Sequence, residues 1–128
     1  MNRLEKIQQR TRNLETEVIT SLVDTNLISD VKIKGDLGSK ENSLCLEYSL
    51  KDKKDEARVR ALRTQIVRLL IKNHPEILEV RKEDKPSGYR KEYIKVNPQT
   101  RINEPELRYS IIQDLKKAVS SYLRQTRS

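Results

Sequence analysis

The chain of 128 residues contains neither Phe nor Trp. Its core must be built from Leu, Ile and Val with Tyr at the margins, and a buried Tyr needs a partner for its hydroxyl. Cys45 is the sole cysteine. No disulfide can form within the chain, so a reducing, cytoplasmic setting is expected. With one histidine, His74, and one cysteine, neither a cluster of soft metal ligands nor a His-rich site is available, and no metal or cofactor is expected. Long apolar runs are also missing. The densest stretch, Ile66–Ile71, is interrupted by Arg68 and falls far short of the roughly 20 residues that span a bilayer. No membrane insertion is expected. The N-terminus has no apolar signal core, and Glu5, Glu15 and Glu17 argue against a transit peptide.

What the chain does have is charge and pattern. Charged residues make up 36% and apolar residues 34%, and the formal net charge is +8. That excess favours polyanionic partners such as nucleic acid or an acidic protein surface. It is spread along the chain, the largest regional excess being +3 over residues 55–74.

Residues 3–27 carry Leu4, Ile7, Thr11, Leu14, Val18 and Leu22 at helical spacing. Ile19 and Val23 widen this stripe only in the second half, so residues 1–13 are expected to protrude or to pack on a partner. Residues 29–34 and 43–50 alternate as strands around a loop, 35–42. Residues 55–73 form a helix with Val59, Leu62, Ile66, Leu69 and Leu70 buried, stopped by His74-Pro75. Residues 77–82 and 89–96 form a second strand pair around a turn, 83–88. A last helix spans 104–124, with Leu107, Ile111, Leu115, Ala118, Val119 and Tyr122 inward and a frayed tail, 124–128. The order αββαββα predicts one α+β domain over 1–128, with a mainly antiparallel four-stranded sheet and helices on one face.

No catalytic set emerges, so no enzymatic activity is expected. His74 suits a capping role at a helix end, and Cys45 reads as an incidental thiol. Gly35-Asp36-Leu37-Gly38 is a bare GxxG string, but it joins strands rather than the two helices that a nucleotide-clamping loop of that kind requires. A nuclease-type Glu-x-Lys on a strand is not met, since Ser49 stands two positions after Glu47 and Glu83-Asp84-Lys85, which has the string, is expected in a turn.

The most informative segment is residues 85–95. Strand alternation puts Tyr89, Lys91, Tyr93 and Lys95 on one face, and Lys32, Lys34 and Arg81 join it if all four strands form one sheet. Rings between cations suit single-stranded nucleic acid, because rings stack on bases and lysines neutralise phosphates. Tyr and Lys are also common on solvated strands, and Glu47 and Glu79 can pair with the lysines. The leading expectation is non-catalytic binding of RNA or single strands. The alternative is a protein-interaction module (adaptor, assembly factor or small chaperone) that uses Leu4, Ile7, Leu14 and Val18, with homodimerisation through the N-terminal helix.

Overall fold

The computed structural model describes residues 1–37, 42–98 and 104–127. The chain runs α1 (Arg3–Asp24), β1 (Ile28–Asp36), β2 (Ser43–Leu50), α2 (Glu56–Asn73), β3 (Ile77–Asp84), β4 (Tyr89–Val96) and α3 (Glu104–Arg127). All strand pairs are antiparallel, in the order β1-β2-β4-β3. The two expected hairpins are present, and β2 pairing with β4 joins them into the expected single sheet. No described helix is long and apolar enough to cross a membrane.

Local chemistry sets the boundaries. The Asn2 side chain accepts from the Glu5 N–H at 2.8 Å and starts α1. The helix stops at Asp24 rather than residue 27. Thr25 closes it by donating its hydroxyl to the Leu22 carbonyl at 2.6 Å, and Asn26 follows in the left-handed region at φ 61°, where Asn is well tolerated. Gly88, at φ 92°, lets the β3–β4 turn close through its N–H on the Lys85 carbonyl at 2.9 Å.

The strands run further than expected. β3 includes Glu83 and Asp84, which pair in register with Lys91 and Arg90. Their charges therefore belong to the sheet rather than to a turn. β1 extends through Gly35 and Asp36 and carries a bulge between Ser29 and Lys32. Gly38, the last position of the GxxG string, lies outside the described residues. α3 continues past Arg124 to Arg127, so the tail expected to fray is helical that far.

The inner face of the sheet carries Leu44, Leu46, Tyr48, Ile94 and Val96, all buried. They share one apolar cluster with Val18 and Leu22 of α1, Leu62 and Ile66 of α2, and Ile111, Ile112 and Leu115 of α3. α1 lies toward β1 and α2 toward β3, and both pack on α3. A small cavity of about 30 Å³ remains among Leu22, Leu46, Leu62, Ile94 and Leu115.

The inner face is not wholly apolar, since β4 also turns Arg90 and Glu92 inward. Glu92 faces the Arg63 Nε at 2.8 Å and 2.9 Å and accepts from the Tyr48 hydroxyl at 3.0 Å. That gives Tyr48 the partner its burial demands. Burial pushes the Glu92 carboxyl up from its ordinary range, with Arg63 opposing. Arg90 makes a two-pronged pair with Glu56 at 2.8 and 3.0 Å. Its Nε lies 3.2 Å from Asp84 without hydrogen-bond geometry.

His74 departs from the expected capping role for its side chain. Its backbone N–H closes α2 on the Leu70 carbonyl at 2.9 Å. The buried ring instead ties α2 to α3, with Nε2 2.7 Å from Asp114 and Nδ1 3.4 Å from Glu76. A link between elements replaces a local one because Asp114, one of the few buried carboxylates, needs hydrogen-bond donors.

Candidate nucleic-acid interface

Among the described residues, no helix covers the outer face of the sheet. The register places Tyr89, Lys91, Tyr93 and Lys95 opposite Ser49, Glu47, Cys45 and Ser43 of β2. On the far side of β4, Lys91, Tyr93 and Lys95 pair with Glu83, Arg81 and Glu79 of β3. Across β2, Lys32 and Lys34 pair with Glu47 and Cys45. All seven residues expected at a nucleic-acid face (Lys32, Lys34, Arg81, Tyr89, Lys91, Tyr93 and Lys95) therefore lie on one surface.

Their contacts show what each is free to do. The Arg81 guanidinium lies 4.5 Å from the Tyr93 ring centre, and the Lys91 ammonium 5.9 Å from that of Tyr89. Such pairs are favourable, and each sets a cation over one face of a ring, leaving the other face for a base. Glu47 sits near the middle of the face and is buried. It accepts from the Tyr89 hydroxyl and lies 3.2 Å from the Lys34 ammonium. Arg81 also approaches Glu83 at 3.9 Å. The cross-strand pairing considered for Glu47 is thus realised, although its ion pair is with Lys34 on the diagonal. The two charge signs interleave, with five cations set among Glu47, Glu79 and Glu83.

A shallow depression of about 380 Å³ opens at one end of this face, lined by Ser43, Glu79, Arg81, Tyr93 and Lys95. Cys45 sits half-buried beside it, between Lys34 and Tyr93 in register. Burial pushes its thiol up from the ordinary value, and Glu47 pushes in the same direction. Among the described residues, no group of three His, Cys, Asp or Glu side chains could hold a metal ion.

The alternative surface on α1 does not assemble as expected. Val18 is completely buried and belongs to the core, and Leu14 packs against that core. Their side chains are occupied within the chain. Of the four candidate partner-binding residues, Leu4 is exposed and Ile7 half-exposed. Thr11 is buried and lines a polar hollow with Glu104, Pro105 and Arg108, so only the first two turns of α1 stay uncovered.

A second cationic surface was missed by the sequence reading, between α2 and α3. Arg68, Lys72, Lys117 and Arg124 line one groove there. The signal available in the sequence was the absence of any acidic residue from 57–73 and from 115–127.

No family model, curated protein or solved structure matches the chain.

Proposed function

We propose that this protein is a non-catalytic nucleic-acid-binding protein that takes single-stranded RNA or DNA on the open face of its sheet. One observation carries the reading. Two tyrosine rings and five cations fall on one sheet face, which no helix covers among the described residues. Tyr89 and Tyr93 stack on bases, while Lys32, Lys34, Arg81, Lys91 and Lys95 contact phosphates. A stacked base contributes about 1–3 kcal/mol. Glu47, Glu79 and Glu83 offset part of the charge of its five cations. Stacking adds to these contacts, and five phosphate contacts on a single strand set the slope of log affinity against log salt at about −3.5.

The test is fluorescence anisotropy with labelled single-stranded RNA, single-stranded DNA and duplex DNA at low and physiological salt. Retained binding at physiological salt, with single strands preferred, supports the reading. Binding confined to low salt marks generic charge attraction and overturns it.

A further inference from the structure

The excess charge of the chain is concentrated away from the sheet's open face. α2 and α3 run antiparallel, as shown by the Gln65–Gln125 and Asn73–Asp114 hydrogen bonds at 2.9 and 3.1 Å. This arrangement sets residues 57–73 beside residues 115–127. Those two stretches hold nine basic residues and no acidic one. A groove of about 560 Å³ runs between them, lined by Arg68, Leu69 and Lys72 of α2 and by Lys117, Ala118 and Arg124 of α3.

Among the described residues, most of the groove cations are unpaired. Arg68, Lys72 and Arg124 have no ion pair among the described residues. Lys117 has only the buried Asp114, at 3.9 Å. Arg68 and Lys72 stand one helical turn apart, and Lys117 and Arg124 about 10 Å apart along α3 at 1.5 Å per residue. Among the described residues, no aromatic ring lines the groove, so it offers no ring on which to stack a base. Its floor is mostly apolar, with Leu69 half-buried and Ala118 buried. Its rims carry Arg68 and Lys72 on one side and Lys117 and Arg124 on the other, an arrangement that complements a densely and regularly charged anion. Duplex nucleic acid, with one charge per about 1.7 Å of axis, presents that charge most densely.

We propose that the α2–α3 groove is a second site, distinct from the sheet face, that holds the phosphate backbone of double-stranded nucleic acid without reading its sequence. It lies on the helical side of the molecule, so a duplex bound there leaves the sheet face open. The proposal does not depend on single-strand binding by that face.

The experiment measures duplex DNA binding by anisotropy across a salt series, for the wild type and for a variant carrying Arg68→Gln, Lys72→Gln, Lys117→Gln and Arg124→Gln. All four positions are exposed, and thermal melting confirms that the variant is folded. If four phosphates are neutralised, log affinity falls with log salt at a slope of about −3.6, or about fiftyfold between ~50 and ~150 mM. The variant is expected to lose most duplex binding at low salt and most of that slope, with two unrelated duplex sequences behaving alike. Single-strand binding at physiological salt should be unchanged. Duplex affinity and slope equal to wild type overturn the proposal. Equal loss of single-strand binding also overturns it, since the two faces would then serve one ligand. Displacement of the duplex by polyglutamate at equal charge concentration would assign the groove to an acidic protein and overturn it too. Loss of single-strand binding in Tyr93→Ala with Lys95→Ala bears on the sheet face alone.

Discussion

The Tyr89 hydroxyl donates to the Glu47 carboxylate across the β2–β4 pair, which fixes a negative charge at the centre of the face that should attract phosphates. Glu47 thereby orients one ring and holds the Lys34 ammonium at 3.2 Å, at the cost of repelling a polyanion. Glu47→Gln keeps an acceptor for Tyr89 and removes the charge. Single-strand affinity should rise about fivefold, corresponding to about 1 kcal/mol for a unit charge near the surface. Unchanged affinity in anisotropy titrations would place the ligand elsewhere.

Cys45 offers a probe that leaves the other face residues intact. It is the only thiol in the chain and lies between Lys34 and Tyr93 in register. Its thiol is held above the ordinary range by burial and by Glu47, so alkylation near neutral pH should be slow and should quicken in Glu47→Gln. Single-stranded RNA should slow alkylation in proportion to the fraction bound. A rate indifferent to saturating RNA would show that the ligand does not cover this face.

Tyr48 gives stability an alkaline limb. Its hydroxyl is buried against Glu92, and burial followed by the Glu92 charge raises its ionisation above the ordinary value of 10.0. The folded state keeps a proton that the unfolded chain releases. The stabilisation is thus complete below about pH 10 and is lost as pH rises beyond it. Tyr48→Phe should cost about 1 kcal/mol at neutral pH for the lost hydrogen bond and flatten the decline between pH 9 and 11 in urea unfolding. An equally steep decline would show that other groups cause it.

Arg63 compensates the buried Glu92 carboxylate at 2.8 Å. Arg63→Ala should cost about 3–5 kcal/mol at neutral pH, as expected when one partner of a buried pair is removed. Burial raises the Glu92 carboxyl's protonation range, so the cost should shrink as pH falls and the carboxyl takes up its proton. Adding Glu92→Gln should recover part of it at neutral pH. A cost independent of pH would mean that Arg63 acts through packing alone.

The sheet was legible because strand alternation is a local signal. Leu44, Leu46 and Tyr48 on one side and Tyr89, Lys91, Tyr93 and Lys95 on the other follow from a period of two, and the register needed only the two hairpins to join. Contacts between distant segments were less legible. Arg90 and Glu92 break the apolar pattern of β4, and their partners Glu56 and Arg63 lie on α2, more than 25 positions away. Val18 belongs to a stripe that looked surplus to a small core, but α3 and the sheet bury it. The basic groove was hidden by adding charge over contiguous segments. Asp55, Glu56, Glu104, Glu106 and Asp114 diluted the sums, whereas the fold lays the acid-free parts of α2 and α3 side by side.

The most direct test of the central claim is the affinity of the Tyr93→Ala, Lys95→Ala variant for single-stranded RNA at physiological salt. Both side chains stand on the open face, and neither belongs to the core, so the fold should persist in circular dichroism. Loss of one stacked base, about 1–3 kcal/mol, predicts a fall of at least about fivefold. Affinity equal to wild type in a folded variant would contradict the assignment of the sheet face as the binding surface.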